Sequence, residues 1–109
     1  MLLSLAALAL INTQPSAPAT RESYVPYAGS DGIVGWKADG ERGVFIKGLV
    51  GGWHYAATSN RCGRLRTATN IGFITRGSSD LDRFGALLVE GSYCPLRSVV
   101  RSAPPPGES

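Results

Sequence analysis

From residue 33 onward, short apolar runs alternate with glycine-rich or polar breaks every eight to twelve residues, the rhythm of short strands joined by tight turns. No stretch sustains the 3.6-residue period of a long amphipathic helix. Residues 33–37 and 44–50 read as two strands joined across Ala38-Asp39-Gly40-Glu41-Arg42-Gly43. There Asp39-Gly40 offers a turn and Gly43 can supply a positive φ. Gly51-Gly52 allows a bend before a third strand over 53–58. Period-2 alternation puts Trp53, Tyr55 and Ala57 on one face and His54, Ala56 and Thr58 on the other. The Trp53 face, carrying the larger apolar area, is assigned to the core.

Beyond the loop Ser59-Asn60-Arg61, a strand over 65–69 passes through Asn70 into 71–75, with Gly72 weakening its continuity. Residues 78–83 read as a loop, with a single helical turn capped by Ser79 as the alternative. Residues 84–90 and 96–101 are the last two strands, separated by Gly91-Ser92-Tyr93-Cys94-Pro95. The total is six or seven short strands. The predicted fold class is all-β, a small antiparallel sandwich or barrel stapled by one disulfide.

The opening of the chain has a different pattern. Residues 2–11 are apolar except for Ser4, and a polar stretch then leads to Ala17-Pro18-Ala19, the order of a secretory signal peptide cut after Ala19. This apolar core is too short to span a bilayer. Before Arg21 the chain carries no Lys or Arg, so the usual positive flank is reduced to the amino group. The expected organisation is a signal peptide over 1–19, an N-terminal extension over 20–32, a single β domain over 33–101 and a disordered Pro-rich tail over 102–109. The expected location is secreted or periplasmic, with no membrane span in the mature chain.

Export changes the meaning of the two cysteines. A folded unit of about 80 residues buries a limited core, and in an oxidising compartment Cys62 and Cys94 have only each other to pair with. With 31 residues between them, the loop-entropy relation gives about 3 to 4 kcal/mol of stabilisation. They are not a Cys-x-x-Cys redox pair, and with one histidine they do not make a zinc set.

Charge adds one candidate feature. Eleven basic residues against eight acidic ones give a net charge of +3, and Arg61, Arg64 and Arg66 form the densest cluster. On a strand starting near Gly63, Arg64 and Arg66 share a face and can hold an anionic group through forked hydrogen bonds; a merely solvated face is the commoner use of such a pair. The cluster lacks the interleaved aromatics of a nucleic-acid surface, and no nucleic-acid partner is expected. His54 is the sole histidine, flanked by Trp53 and Tyr55, and no Gly-x-Ser-x-Gly nucleophile elbow accompanies it. Asp31-Gly32 and Asp39-Gly40-Glu41 are ordinary turn sequences rather than an EF-hand loop, so neither a metal nor a cofactor is expected.

These features converge on a small exported binding module, an inhibitor or accessory protein. It would use a β-sheet face or the disulfide-anchored loop near Asn60 to Arg66 against a protein or anionic ligand outside the cytoplasm, with Arg61, Arg64, Arg66, Trp53, His54 and Tyr55 as the candidate binding residues. Two other classes fit the same residues. One is a minimal hydrolase with His54 as acid or base and Arg64 stabilising negative charge. The other is a structural subunit that assembles by adding strands at a sheet edge.

Overall fold

The computed structural model describes residues 21–108, and the signal-peptide reading of 1–19 lies outside them. The strands are β1 (Ile33–Asp39), β2 (Gly43–Gly48), β3 (Trp53–Thr58), β4 (Ile71–Ile74), β5 (Ala86–Val89) and β6 (Ser92–Arg101). All neighbours run antiparallel in one curled half-barrel sheet, in the order β1-β2-β3-β6-β5-β4. The all-β expectation holds. β6 joins the two halves: its residues from Ser92 to Pro95 pair with β5, and those from Leu96 to Arg101 pair with β3.

The first hairpin closes more tightly than the sequence indicates. Asp39 pairs with Gly43, and the positive φ sits at Gly40 (60°) rather than at Gly43. The β5–β6 hairpin is tighter still. Val89 pairs with Ser92 across Glu90 (φ 49°) and Gly91 (φ 91°), the two left-handed central residues of a type I′ turn. The expected five-residue separator at 91–95 is therefore strand from Ser92 onward. Residues 65–69 do not form a strand: Leu65–Thr67 is a 3-10 turn that drives Leu65 into the core.

The core occupies the concave side of the sheet. Val44, Ile46, Ala56 and Val99 lie side by side across β2, β3 and β6, and each is fully buried with Val25, Leu65, Leu81 and Leu87. This reverses the face assignment made for β3. His54, Ala56 and Thr58 point inward, while Trp53 and Tyr55 lie half-buried on the convex face. Curvature explains the reversal, because a tightly curled sheet has room on its inner side for small and branched residues and spreads its bulky aromatics outside.

Segments at both ends of the described chain join this framework. Ser23 N donates to Val99 O at 2.7 Å, and Val25 exchanges backbone hydrogen bonds with Leu81 at 2.8 and 3.0 Å. Val25 is wholly buried as a result. At the other end Pro105 is also wholly buried, although Pro104 and Pro106 are exposed. Cys62 and Cys94 are bonded, with Cα atoms 5.9 Å apart, tying the loop after β3 to β6. Among the described residues no helix is long and apolar enough to cross a membrane.

Candidate functional site

Where the convex face of β3 meets the disulfide-anchored loop, Asp39, Arg42, Tyr55, Ala57, Thr58, Ser59, Asn60, Arg61 and Arg97 line an open cleft of about 500 Å³. Its floor is set by a glycine. A Cβ on Gly43 would fall 2.5 Å from the Ala56 carbonyl oxygen and 2.6 Å from Tyr55 Oη, so only glycine lets the Tyr55 ring lie across β2. From there Tyr55 Oη donates to Asp39 Oδ2 at 2.7 Å, and Phe45 meets the ring edge-on at a centroid distance of 5.0 Å. Burial first, then the Asp39 hydrogen bond and charge, push the Tyr55 phenol up to about 12, with Arg42 and Arg97 pulling weakly the other way. Tyr55 is thus a fixed, protonated donor at neutral pH.

The wall is a loop with little freedom. Cys62 N donates to Glu41 O at 2.9 Å, and Thr58 N and Oγ1 both donate to Arg42 O, at 3.0 and 3.1 Å. Thr58 Oγ1 also lies 2.6 Å from Asn60 O, and Ser59 N donates to Pro95 O at 2.9 Å. Together with the Cys62–Cys94 bond, these contacts lock residues 58–62 against the β1–β2 turn and β6.

Arg97 completes the cleft through a bulge. Ala57 pairs with Ser98 and Thr58 with Leu96, so Arg97 is the extra residue of β6 between them. Asp39 Oδ1 accepts from Arg42 Nη2 at 3.2 Å, and Glu41 Oε1 accepts from Arg61 Nε at 3.0 Å, with Arg61 Nη2 2.8 Å away in the same ion pair. Among the described residues Arg97 has no such carboxylate partner. Three guanidinium groups therefore border a cleft whose one lining carboxylate, Asp39, is already engaged by Tyr55 and Arg42.

Of the residues singled out from sequence, Tyr55 and Arg61 come together here. Trp53 lies further along the same convex face, opposite Lys47. His54 is on the concave face, 2 % exposed, and its Nδ1 has no hydrogen-bond partner. Burial lowers its pKa; the Gly52 backbone works against that shift and the Arg101 charge adds to it. Arg64 caps the start of the 3-10 turn and Arg66 lies within it, so the two do not share a strand face, and Arg64 Nη1 is 4.0 Å from Glu90 Oε1. Asp39, Arg42 and Arg97 were not singled out. The first two stood in what read as a turn, and a bulge leaves no mark in residue order.

Among the described residues no group of three or more His, Cys, Asp or Glu side chains is placed to hold a metal ion. Comparison with protein-family models, with curated proteins and with solved structures finds no match to this chain.

Proposed function

We propose that the protein is a small binding module acting outside the cytoplasm, and that its arginine-bordered cleft takes an anionic group of its partner. The observation that carries this reading is Arg97, placed by a β-bulge at a cleft it shares with Arg42 and Arg61 and lacking a carboxylate of its own among the described residues. A planar guanidinium offers forked donors matched to carboxylate, sulfate or phosphate oxygens. Asn60, Ser59 and Tyr55 add neutral polar atoms around it. The anchored loop holds these groups in place before a ligand arrives, which lowers the ordering cost of binding. The buried disulfide is compatible with an oxidising location.

Charge reversal tests the reading. Fluorescence anisotropy of a labelled polyglutamate peptide at low salt should show Arg97→Glu weakening binding about tenfold or more, as expected for losing a charge-assisted contact of about 1.5 kcal/mol or more. The pair Arg64→Glu with Arg66→Glu carries the same kind of charge change away from the cleft and should weaken it far less. Equal losses in both variants would reduce the cleft to general surface charge, and no binding by the native protein would remove the proposal.

A further inference from the structure

The convex face carries a second feature beside the cleft. After β6 ends at Arg101, Ser102 N donates to Trp53 O at 3.1 Å, and four residues later the Pro106 carbonyl accepts from Lys37 Nζ at 3.4 Å. The path between these anchors leads from the end of β6, beside β3, toward β1. Three inter-strand spacings make about 14 Å, of which four extended residues at about 3.1 Å each cover about 12 Å and the long Lys37 side chain reaches the rest. Strand register places Trp53 beside Lys47, and Phe45 between Lys37 and Tyr55, along this path. Pro105 is the one ring of the three consecutive prolines that is pressed out of solvent, as expected of a strap laid over an aromatic and aliphatic surface.

An extended proline segment on an aromatic face is a recognised form of peptide recognition, since its backbone is already ordered before binding. Here the seated segment is an imperfect ligand. Trp53 Nε1 is buried and makes no hydrogen bond, a penalty that a better-placed carbonyl would relieve. Across the face the strap is held by one long lysine-to-carbonyl contact. The chain's two lysines both border the path, Lys47 Nζ lying 5.9 Å from the Trp53 ring centroid, so ammonium donors are at hand for further backbone carbonyls.

We propose that the convex face around Trp53 is a receptor for a proline-rich extended segment of a partner polypeptide, and that Pro104-Pro105-Pro106 occupies it as a displaceable internal ligand. A seated strap reduces apparent affinity by the fraction of time the face is free. Loosening the strap therefore raises affinity for a segment supplied from outside.

The test uses the oxidised protein and an uncharged, blocked polyproline peptide, so that its result is separate from that of the anionic cleft. The probe should move the Trp53 indole ¹H–¹⁵N resonance, and Pro105→Ser should bind it about tenfold tighter than the native protein as the occupied fraction falls. Pro104→Gly with Pro106→Gly alters only exposed rings and loosens the same strap through chain entropy, so it should also tighten binding even if Pro105→Ser fails to fold. Trp53→Phe keeps a ring but removes the indole donor, and it should weaken binding in each background. An indole resonance unmoved by saturating peptide in the native and loosened proteins overturns the proposal. So does native-like affinity in Trp53→Phe, or a concentration-dependent dimer on sedimentation, which would assign the face to the strap of a second copy.

Discussion

Replacing both cysteines by alanine, Cys62→Ala with Cys94→Ala, removes the covalent link between the cleft wall and β6 and leaves the backbone hydrogen bonds of residues 58–62 in place. The bridge spans a sequence separation of 32, for which the loop-entropy relation gives about 3 to 4 kcal/mol. Both cysteines are buried, at 1 % and 8 % exposure, so losing their sulfur contacts adds to that cost. For a domain of this size the urea dependence is about 1 kcal/mol per molar, so the unfolding midpoint should fall by about 3 M. A small domain has about 5 kcal/mol or little more in total, which puts the variant near the edge of folding. Urea titration followed by Trp fluorescence, on oxidised native protein and on the variant, measures the shift. A midpoint lowered by less than about 1 M with an unchanged slope would mean that the bridge is not what limits the unfolded chain.

Gly43→Ala places a methyl group against the Ala56 carbonyl and the Tyr55 ring, and overpacking of that kind costs about 1 to 3 kcal/mol. Thermal melting should register the loss, and the high-pH absorbance titration of Tyr55 should move down from about 12 as the ring leaves Asp39. His54 is buried, and its folded-state pKa is lowered from 6.5, so the unfolded chain binds the extra proton first. The stability it contributes is complete above pH 6.5 and is lost as pH falls from there through the folded value. His54→Gln should flatten urea midpoints across that window, whereas an unchanged slope would assign the pH dependence elsewhere. The intact mass of protein recovered from fractionated cells should begin at Thr20 and gain two alkyl groups only after reduction. A full-length mass with both thiols freely alkylated would place the chain in a reducing compartment.

Strand periodicity and glycine punctuation reveal the first three strands and their two connections, because those signals are local. The pairing of Cys62 with Cys94 was equally legible, since the chain offers no other choice. The inward face of β3 was not. Trp53 and Tyr55 outweigh Ala56 in apolar area, but the curl of the sheet is set by strands distant in sequence and gives the inner side to the smaller residues. Leu65 also looks like a strand residue, yet it enters the core from a 3-10 turn, which separates Arg64 and Arg66 from the face they were assigned. At the β5–β6 turn Glu90 takes a left-handed conformation more usual for Asn or Gly, so the hairpin shows no sequence signature. The cleft depends on a one-residue bulge and on contacts between residues 39–42 and 58–62, neither of which follows from local pattern.

The most direct test of the anionic cleft is a ¹H–¹⁵N titration of the oxidised protein that follows backbone amides and arginine Nε–H groups as a short glutamate peptide is added. Saturable shifts centred on Tyr55, residues 58–61 and Arg97, fading as salt rises, are the predicted result. Shifts confined to Arg64 and Arg66, or none at peptide concentrations that saturate the anisotropy signal, would contradict the account.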